Sequence, residues 1–228
     1  SAQADGAYDP TLGALTAAWG FDDGNYRVPD AAQRAEALRC CGTDKVSLTE
    51  NAAVLSGGVQ LDLGGIGKGC AAAHVRQILL DGGVRSAIVS LGGNVCAVGA
   101  KPDGTDWTIG LQDPREPSSY FGTVAVRDAA VVTSGGYQRF FTGPDGTVYQ
   151  HILDPKTGYP VQGDLLSVSV ILPRGGDALA GTRADAYSTA LYVMGEHGAA
   201  DFWRAHKDFD MVLVTTDGRV VYTPGPAG

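Results

Sequence analysis

The stretch that most constrains this 228-residue chain is Asp62-Leu63-Gly64-Gly65-Ile66-Gly67-Lys68-Gly69. Four glycines fall within six residues, between an alternating segment at 59–63 that reads as a strand and a helical pattern over 70–80. Glycine has no Cβ, so such a loop can turn sharply and let another backbone come close. A strand passing through it into a helix N-terminus also gathers unpaired N–H groups, which suit an anion such as phosphate. The standard phosphate-loop patterns do not settle the matter. In G-x-x-x-x-G-K-[ST] the first glycine would fall on Asp62, and Gly69 stands where a hydroxyl residue belongs. Gly67-Lys68-Gly69-Cys70-Ala71-Ala72 fits G-x-G-x-x-A, but the next strand ends in Gly92-Gly93-Asn94, with no acidic residue for a ribose. Close packing around the helix explains these glycines about as well.

A hydrophobic content of 44% against 18% charged residues belongs to a folded globular chain. There is no internal repeat or long linker. Pro173-Arg174-Gly175-Gly176 reads as a loop and not as a boundary, so one domain over 1–228 is expected. The formal charge is −8 and no basic stripe is present, which argues against a nucleic-acid partner. An acidic chain that holds an anion needs helix N-termini, loop N–H groups or a cation. Cys40, Cys41, Cys70 and Cys96 match no zinc spacing and are too few for a disulfide framework. No run is long and apolar enough to span a membrane. The chain starts at Ser1, without an initiator Met or a signal peptide, and passes directly into structured-looking sequence.

Along the chain, Asp9 and Pro10 predict the cap and first turn of a helix ending at Trp19-Gly20. Asp30 predicts the cap of a second helix over 31–41. Strands are expected at 46–48, 86–91, 94–98, 107–112, 122–126, 148–153, 167–172, 211–215 and 219–222. Gly92-Gly93, Asp103-Gly104 and Asp217-Gly218 suggest hairpins, the last of type I′. Helices are expected at 177–194 and 198–206. Val131-Val132-Thr133-Ser134-Gly135 is a strand running into a glycine turn. Its hydroxyls either hold a phosphate or ribose or cap the turn.

Two groups of residues carry chemistry. His151 stands where a strand leaves for the rigid turn Asp154-Pro155-Lys156-Thr157-Gly158. Asp185 and Thr189 are four apart on a helix rich in alanine, so their oxygens share a face that another backbone can approach. A carboxylate and a hydroxyl are hard oxygen ligands that suit Mg²⁺.

Several stretches together resemble one family, the FAD:protein FMN transferases, formerly called thiamine-biosynthesis lipoproteins. They are Asp5-Gly6-Ala7-Tyr8-Asp9-Pro10-Thr11, the loop from Asp62 to Gly69, Val132-Thr133-Ser134-Gly135-Gly136-Tyr137 with Arg139-Phe140-Phe141, the segment from His151 to Val161, and that from Ala184 to Gly195. The resemblance implies an α+β fold, a mixed or antiparallel sheet core flanked by helices. It implies Mg²⁺-dependent transfer of the FMN moiety of FAD to a Thr or Ser hydroxyl of a target protein, through a phosphoester and with release of AMP. By position, Asp185, Thr189 and the Gly65 carbonyl are the implied metal ligands. Ala7, Tyr8, Asp9, Asp62, Lys68, Thr133, Ser134, Gly135, His151 and Leu153 are the implied flavin contacts. His151 and Asp185 are the implied catalytic pair, His151 helping to deprotonate the acceptor hydroxyl.

The resemblance also implies a membrane redox subunit as acceptor, an extracytoplasmic location and a lipid anchor in a region before Ser1. Family members carry several dozen residues ahead of the Asp5 motif, so a trimmed fragment or a reduced member is expected. Gly67 departs from the family's usual Ala. Two other functions use the same residues. One is an FAD pyrophosphatase with water as acceptor, and the other is a protein that binds FAD without turning it over.

Overall fold

In the computed structural model, which describes residues 1–173 and 177–224, the chain order is as follows. Helices α1 (Gly13–Trp19) and α2 (Ala31–Arg39) come first, then strands β1 (Val46–Leu48) and β2 (Ala53–Leu55). Helix α3 (Gly67–Asp81) precedes β3 (Ala87–Leu91), β4 (Asn94–Val98), β5 (Trp107–Gln112), β6 (Tyr120–Val126) and β7 (Ala129–Gly135). Next are β8 (Phe140–Thr142), β9 (Val148–Gln150), β10 (Leu165–Pro173), α4 (Ala180–His206), β11 (Asp210–Thr215) and β12 (Val220–Tyr222). Of the loop expected at 173–176, Pro173 instead ends β10, paired with Ala129, and 174–176 lie outside the described residues. The chain packs as two compact units, Ser1–Leu63 with Gly136–Gly163, and Gly64–Gly135 with Asp164 onward.

In the first unit, Asp30 starts α2 as the sequence predicts. Its carboxylate accepts from the Ala32 and Gln33 N–H groups, and the Gln33 side chain returns to the Asp30 N–H. Asp9 does not cap a helix at Pro10. Its Oδ1 accepts from the Thr11 N–H at 2.8 Å and the Thr11 hydroxyl at 2.6 Å. Leu12 then bridges Gln60, whose carbonyl accepts from the Gly13 N–H at 3.0 Å. Pro10 and Thr11 lie in a turn and Leu12 takes φ −80°, ψ 9°, so α1 begins only at Gly13. The Leu12–Gln60 bridge is also all that forms of the strand expected at 59–63, because β1 pairs with β2 instead. The core gathers Leu15, Trp19, Phe21, Tyr149 and Leu153. The indole N–H of fully buried Trp19 donates to the Gly158 carbonyl at 2.9 Å, pinning the turn that follows His151. Within that turn Asp154 accepts from the Lys156 N–H and the Thr157 hydroxyl, and Gly158 takes φ 69°. Strand β9 stops at Gln150, short of the expected 153.

The second unit is a six-stranded sheet in the order β12-β11-β10-β7-β4-β3, antiparallel in every ladder. Both α3 and α4 pack on it. The β5–β6 hairpin contributes Leu111 and Val126 to a cluster with Ala97, Ala129, Val131 and Ile171. Gly92 and Gly93 both take positive φ (51° and 86°), giving the two-residue β3–β4 hairpin that Gly-Gly predicts. Two hairpin expectations need correction. At Asp103-Gly104 the chain turns, but β4 and β5 lie in different sheets, because β5 pairs with β6. At Asp217-Gly218 only Gly218 has positive φ (91°), so the loop is three residues closed by the Thr215 N–H to Arg219 carbonyl bond, and not type I′. Helix α4 is two helical stretches broken at Gly195 (φ 73°, ψ 179°), matching the two helices the sequence predicts.

Candidate functional site

The glycine loop serves first to bring two helices together. A Cβ on Gly69 would lie 2.3 Å from the Gly181 carbonyl oxygen and 2.9 Å from the Asp185 Cβ. With glycine at 69 and 181, α3 and α4 touch through their backbones. Helix α3 has no cap from its own N-cap residue, Ile66. Asp185 of α4 fills that role: the Gly69 N–H donates to Asp185 Oδ2 at 2.8 Å. The anion-friendly helix N-terminus therefore holds a carboxylate of the chain itself. Asp185 is 2% exposed. Burial pushes its carboxyl pKa up, while the Gly69 N–H, the Lys68 charge and the Asn94 amide pull the other way.

Hydroxyls gather on the next turn of α4, around the main-chain carbonyl of Asp185. Ser188 donates to the Asp185 carbonyl at 2.9 Å. Thr189, one turn on from Asp185, lies 3.3 Å from the Asp185 carbonyl and 3.3 Å from the Ser134 hydroxyl. Ser134 in turn meets Ser188 at 2.8 Å. Gly65 sits in the turn that leads into α3. Thr133 points elsewhere. Neighbouring strand residues face opposite sides of a sheet, and its hydroxyl pairs with Ser169 at 2.7 Å on the face away from Ser134. The two adjacent hydroxyls therefore do not serve one ligand group from the same face. Gly135 is buried at the end of β7.

Among the described residues no group of three or more His, Cys, Asp or Glu side chains forms a metal cluster. The residues at Asp185 still fit Mg²⁺. They offer one buried carboxylate, the hydroxyls of Thr189 and Ser134, and a fully buried amide, Asn94, whose Oδ1 and Nδ2 lack well-formed hydrogen bonds. Mg²⁺ commonly takes one or two carboxylates and completes its shell with water and substrate phosphate.

The remaining expected residues lie in the first unit. His151 follows β9 directly, and its main-chain N–H and Nδ1 both meet the Arg139 carbonyl at 3.1 Å. A carbonyl only accepts, so this contact assigns the proton to Nδ1 and leaves the lone pair on Nε2. Asp62 and Asp9 both tie the chain to the start of α1. The Asp62 N–H donates to the Pro10 carbonyl at 2.8 Å, and its Oδ2 accepts from the Thr16 hydroxyl at 2.6 Å. Ala7 and Tyr8 are half-buried after the turn at Gly6. Leu153 is a core side chain bridged to Pro160, so only its backbone is suited to a ligand.

Asn94, Ser188 and Gly181 belong to the Asp185 group and were not read from the sequence as site residues. Ser188 had a signal, being adjacent to Thr189 in the same helical motif. Asn94 looked like hairpin chemistry after Gly92-Gly93, and its place beneath two helices depends on tertiary packing.

The sequence model of the ApbE family matches residues 1–213. A FAD:protein FMN transferase of Treponema pallidum is 36% identical over 240 residues, covering 96% of this chain and 64% of that relative. One from Klebsiella pneumoniae is 34% identical, covering 95% of this chain and 66% of its own length. The chain thus spans just under two-thirds of these relatives. The crystal structure of the ApbE protein from Thermotoga maritima matches with a TM-score of 0.85 at 35% identity, over 97% of this chain and 71% of that one. The apo form of the flavinyl transferase ApbE from Pseudomonas stutzeri matches with a TM-score of 0.82 at 33% identity, over 98% and 68%. In sequence and in fold, over nearly its whole length, the chain belongs to the ApbE family.

Proposed function

We propose that this chain moves the FMN moiety of FAD onto a Thr or Ser hydroxyl of an acceptor protein, with AMP as the leaving group and Mg²⁺ as the required cation. The observation that carries the proposal is the buried Asp185 carboxylate at the N-terminus of α3, with the Thr189 and Ser134 hydroxyls in contact one turn on and Lys68 and Asn94 favouring its charged form. The names of the relatives support the same reaction.

Asp185, Thr189 and the Gly65 carbonyl would hold the cation. When bound, Mg²⁺ supplies charge neutralisation at the pyrophosphate. Lys68 and the first N–H groups of α3 add positive potential beside it. His151 takes the proton of the acceptor hydroxyl on Nε2, while the Arg139 carbonyl holds Nδ1–H. The hydroxyl oxygen bonds to the FMN phosphorus, the bridging P–O bond breaks, and its electron pair leaves with AMP. A membrane redox subunit as acceptor and an extracytoplasmic setting complete this reading. Among the described residues no helix is long and apolar enough to cross a membrane.

The test is incubation of the chain with FAD, Mg²⁺ and a peptide carrying the acceptor motif, Asp followed by Ser/Thr-Gly-Ala-Ser/Thr. A peptide mass gain of one FMN, lost on chelation, supports transfer. FMN and AMP without peptide modification would make the protein a pyrophosphatase. Intact FAD would overturn turnover by this chain.

A further inference from the structure

Asn94 is the first residue of β4 and is 0% exposed. Neither its Oδ1 nor its Nδ2 has a well-formed hydrogen bond. A buried amide left in this condition is costly, so an unsatisfied one at this depth calls for an explanation. Its register supplies one. Asn94 pairs directly across from Val132, which places its side chain on the same sheet face as Val132 and Ser134. Ser134 on that face bonds Ser188 and Thr189 of α4. Asn94 therefore points into the oxygen cluster around Asp185, from the strand side.

We propose that Asn94 is a positioning residue of the Asp185 cation site, its Nδ2 donating to the Asp185 carboxylate and its Oδ1 presenting a further neutral oxygen to the cation or its water shell. This rests on the cation reading of Asp185 given above. The chemistry fixes the orientation of the amide: a carboxylate accepts only, so Nδ2 faces Asp185 and Oδ1 is turned to the ligand. One carboxylate then serves two donors from the protein, the Gly69 N–H and Asn94, and keeps lone pairs for the metal. Both atoms of the amide find partners when the cation is present.

The test is Mg²⁺ titration of the full chain by calorimetry, with melting temperature read with and without Mg²⁺, for the wild type, Asn94→Leu, Asn94→Ala and Asp185→Ala. Asn94→Leu and Asn94→Ala are expected to bind Mg²⁺ roughly 10–100-fold more weakly, as loss of an orienting partner usually does. The melting temperature of Asn94→Leu without Mg²⁺ is expected to match or exceed the wild type, because an unsatisfied amide has been removed. If Asn94→Leu does not fold, Asn94→Ala carries the same titration. Wild-type Mg²⁺ affinity in the folded Asn94 variants, with binding lost in Asp185→Ala, would overturn the role of Asn94 and leave the cation site standing. A wild-type chain that takes no Mg²⁺, or an Asp185→Ala chain that takes it unchanged, would overturn both.

Discussion

Gly69 and Asp185 meet across two helices, the N–H of one donating to Oδ2 of the other at 2.8 Å. The bond exists because position 69 has no Cβ; a methyl there would stand 2.3 Å from the Gly181 carbonyl oxygen. Backbone atoms cannot swing aside as a side chain can. Gly69→Ala is therefore expected to part α3 from α4 and to destabilise the chain by about 1–3 kcal/mol, the usual cost of overpacking. It should also weaken Mg²⁺ binding. Urea unfolding reads the first effect and calorimetry the second. An unchanged urea midpoint would mean that the helices are free to separate.

Asp185 does two jobs that substitution separates. Asp185→Asn keeps an oxygen for the Gly69 N–H, so the cap survives and stability stays near the wild type. Without the negative charge, Mg²⁺-dependent turnover should be lost. Asp185→Ala removes the acceptor as well and leaves a buried N–H unpaired, at a further cost of about 1–3 kcal/mol. Melting temperature and product release, measured on both variants, check the division. Equal stability of the two would show that the cap contributes nothing.

These relationships show where the sequence was readable. Asp185 and Thr189 were legible because a spacing of four on a helix fixes a shared face without further knowledge. The Asp30 cap and the bounds of β4 and β5 were local in the same way. Thr133 and Ser134 looked like one hydroxyl pair until strand geometry turned them to opposite faces. The segment at 59–63 alternates well enough for a strand, yet strand formation needs a partner. β1 had already taken β2, leaving Gln60 only a bridge to Leu12. Asn94 resembled every other Asn beside a glycine turn, and only the helices packed over β4 make it a site residue. What was missed depends on contacts distant in sequence.

His151 is expected to act on rate and not on binding. His151→Ala should slow FMN transfer by roughly 10²–10⁴-fold, the usual worth of general-base catalysis, while FAD affinity stays within a few-fold. His151→Gln tests whether hydrogen bonding alone suffices, since it has no basic nitrogen. Single-turnover rates and flavin fluorescence titration separate the two quantities. Transfer at the wild-type rate in His151→Ala would remove the residue from the proton step.

Asp217 titrates far below the ordinary carboxyl range, at about 2, because the Thr215 hydroxyl and then Arg219 hold its charged form. A depressed folded pKa means that its stabilising effect is complete above 3.8, the unfolded value, and is lost as pH falls towards 2. The β11–β12 turn should therefore loosen only in strong acid. NMR titration of the Asp217 carboxyl is expected to give a midpoint near that value, and Arg219→Gln or Thr215→Val to raise it. A midpoint at 3.8 in the wild type would show that the turn contacts do not persist in solution.

The four thiols, none of them in a disulfide, should divide by environment when the chain meets an alkylating reagent. Cys70 is exposed in the first turn of α3. Cys41 is buried in the first unit's core, and its Sγ–H donates to the Ala37 carbonyl at 3.2 Å. Burial, then the Asp9 and Cys40 charges, push its thiol up from 9.0 to about 11, with Lys45 opposing. Because the thiolate is the reactive form, a rise of this size cuts the reactive fraction at pH 8 roughly 100-fold, before access is counted. Cys96 is buried in β4, out of the reagent's reach. At pH 8, mass spectrometry of timed labelling should find Cys70 modified first and Cys41 and Cys96 last. Raising the pH from 8 towards 11 should speed Cys41 steeply, because its thiolate fraction rises over that whole range. If Cys41 instead labels as fast as Cys70 at pH 8, the core around Leu15 and Trp19 opens faster than the reagent reacts. The pinning of the His151 turn by Trp19 would then be transient as well.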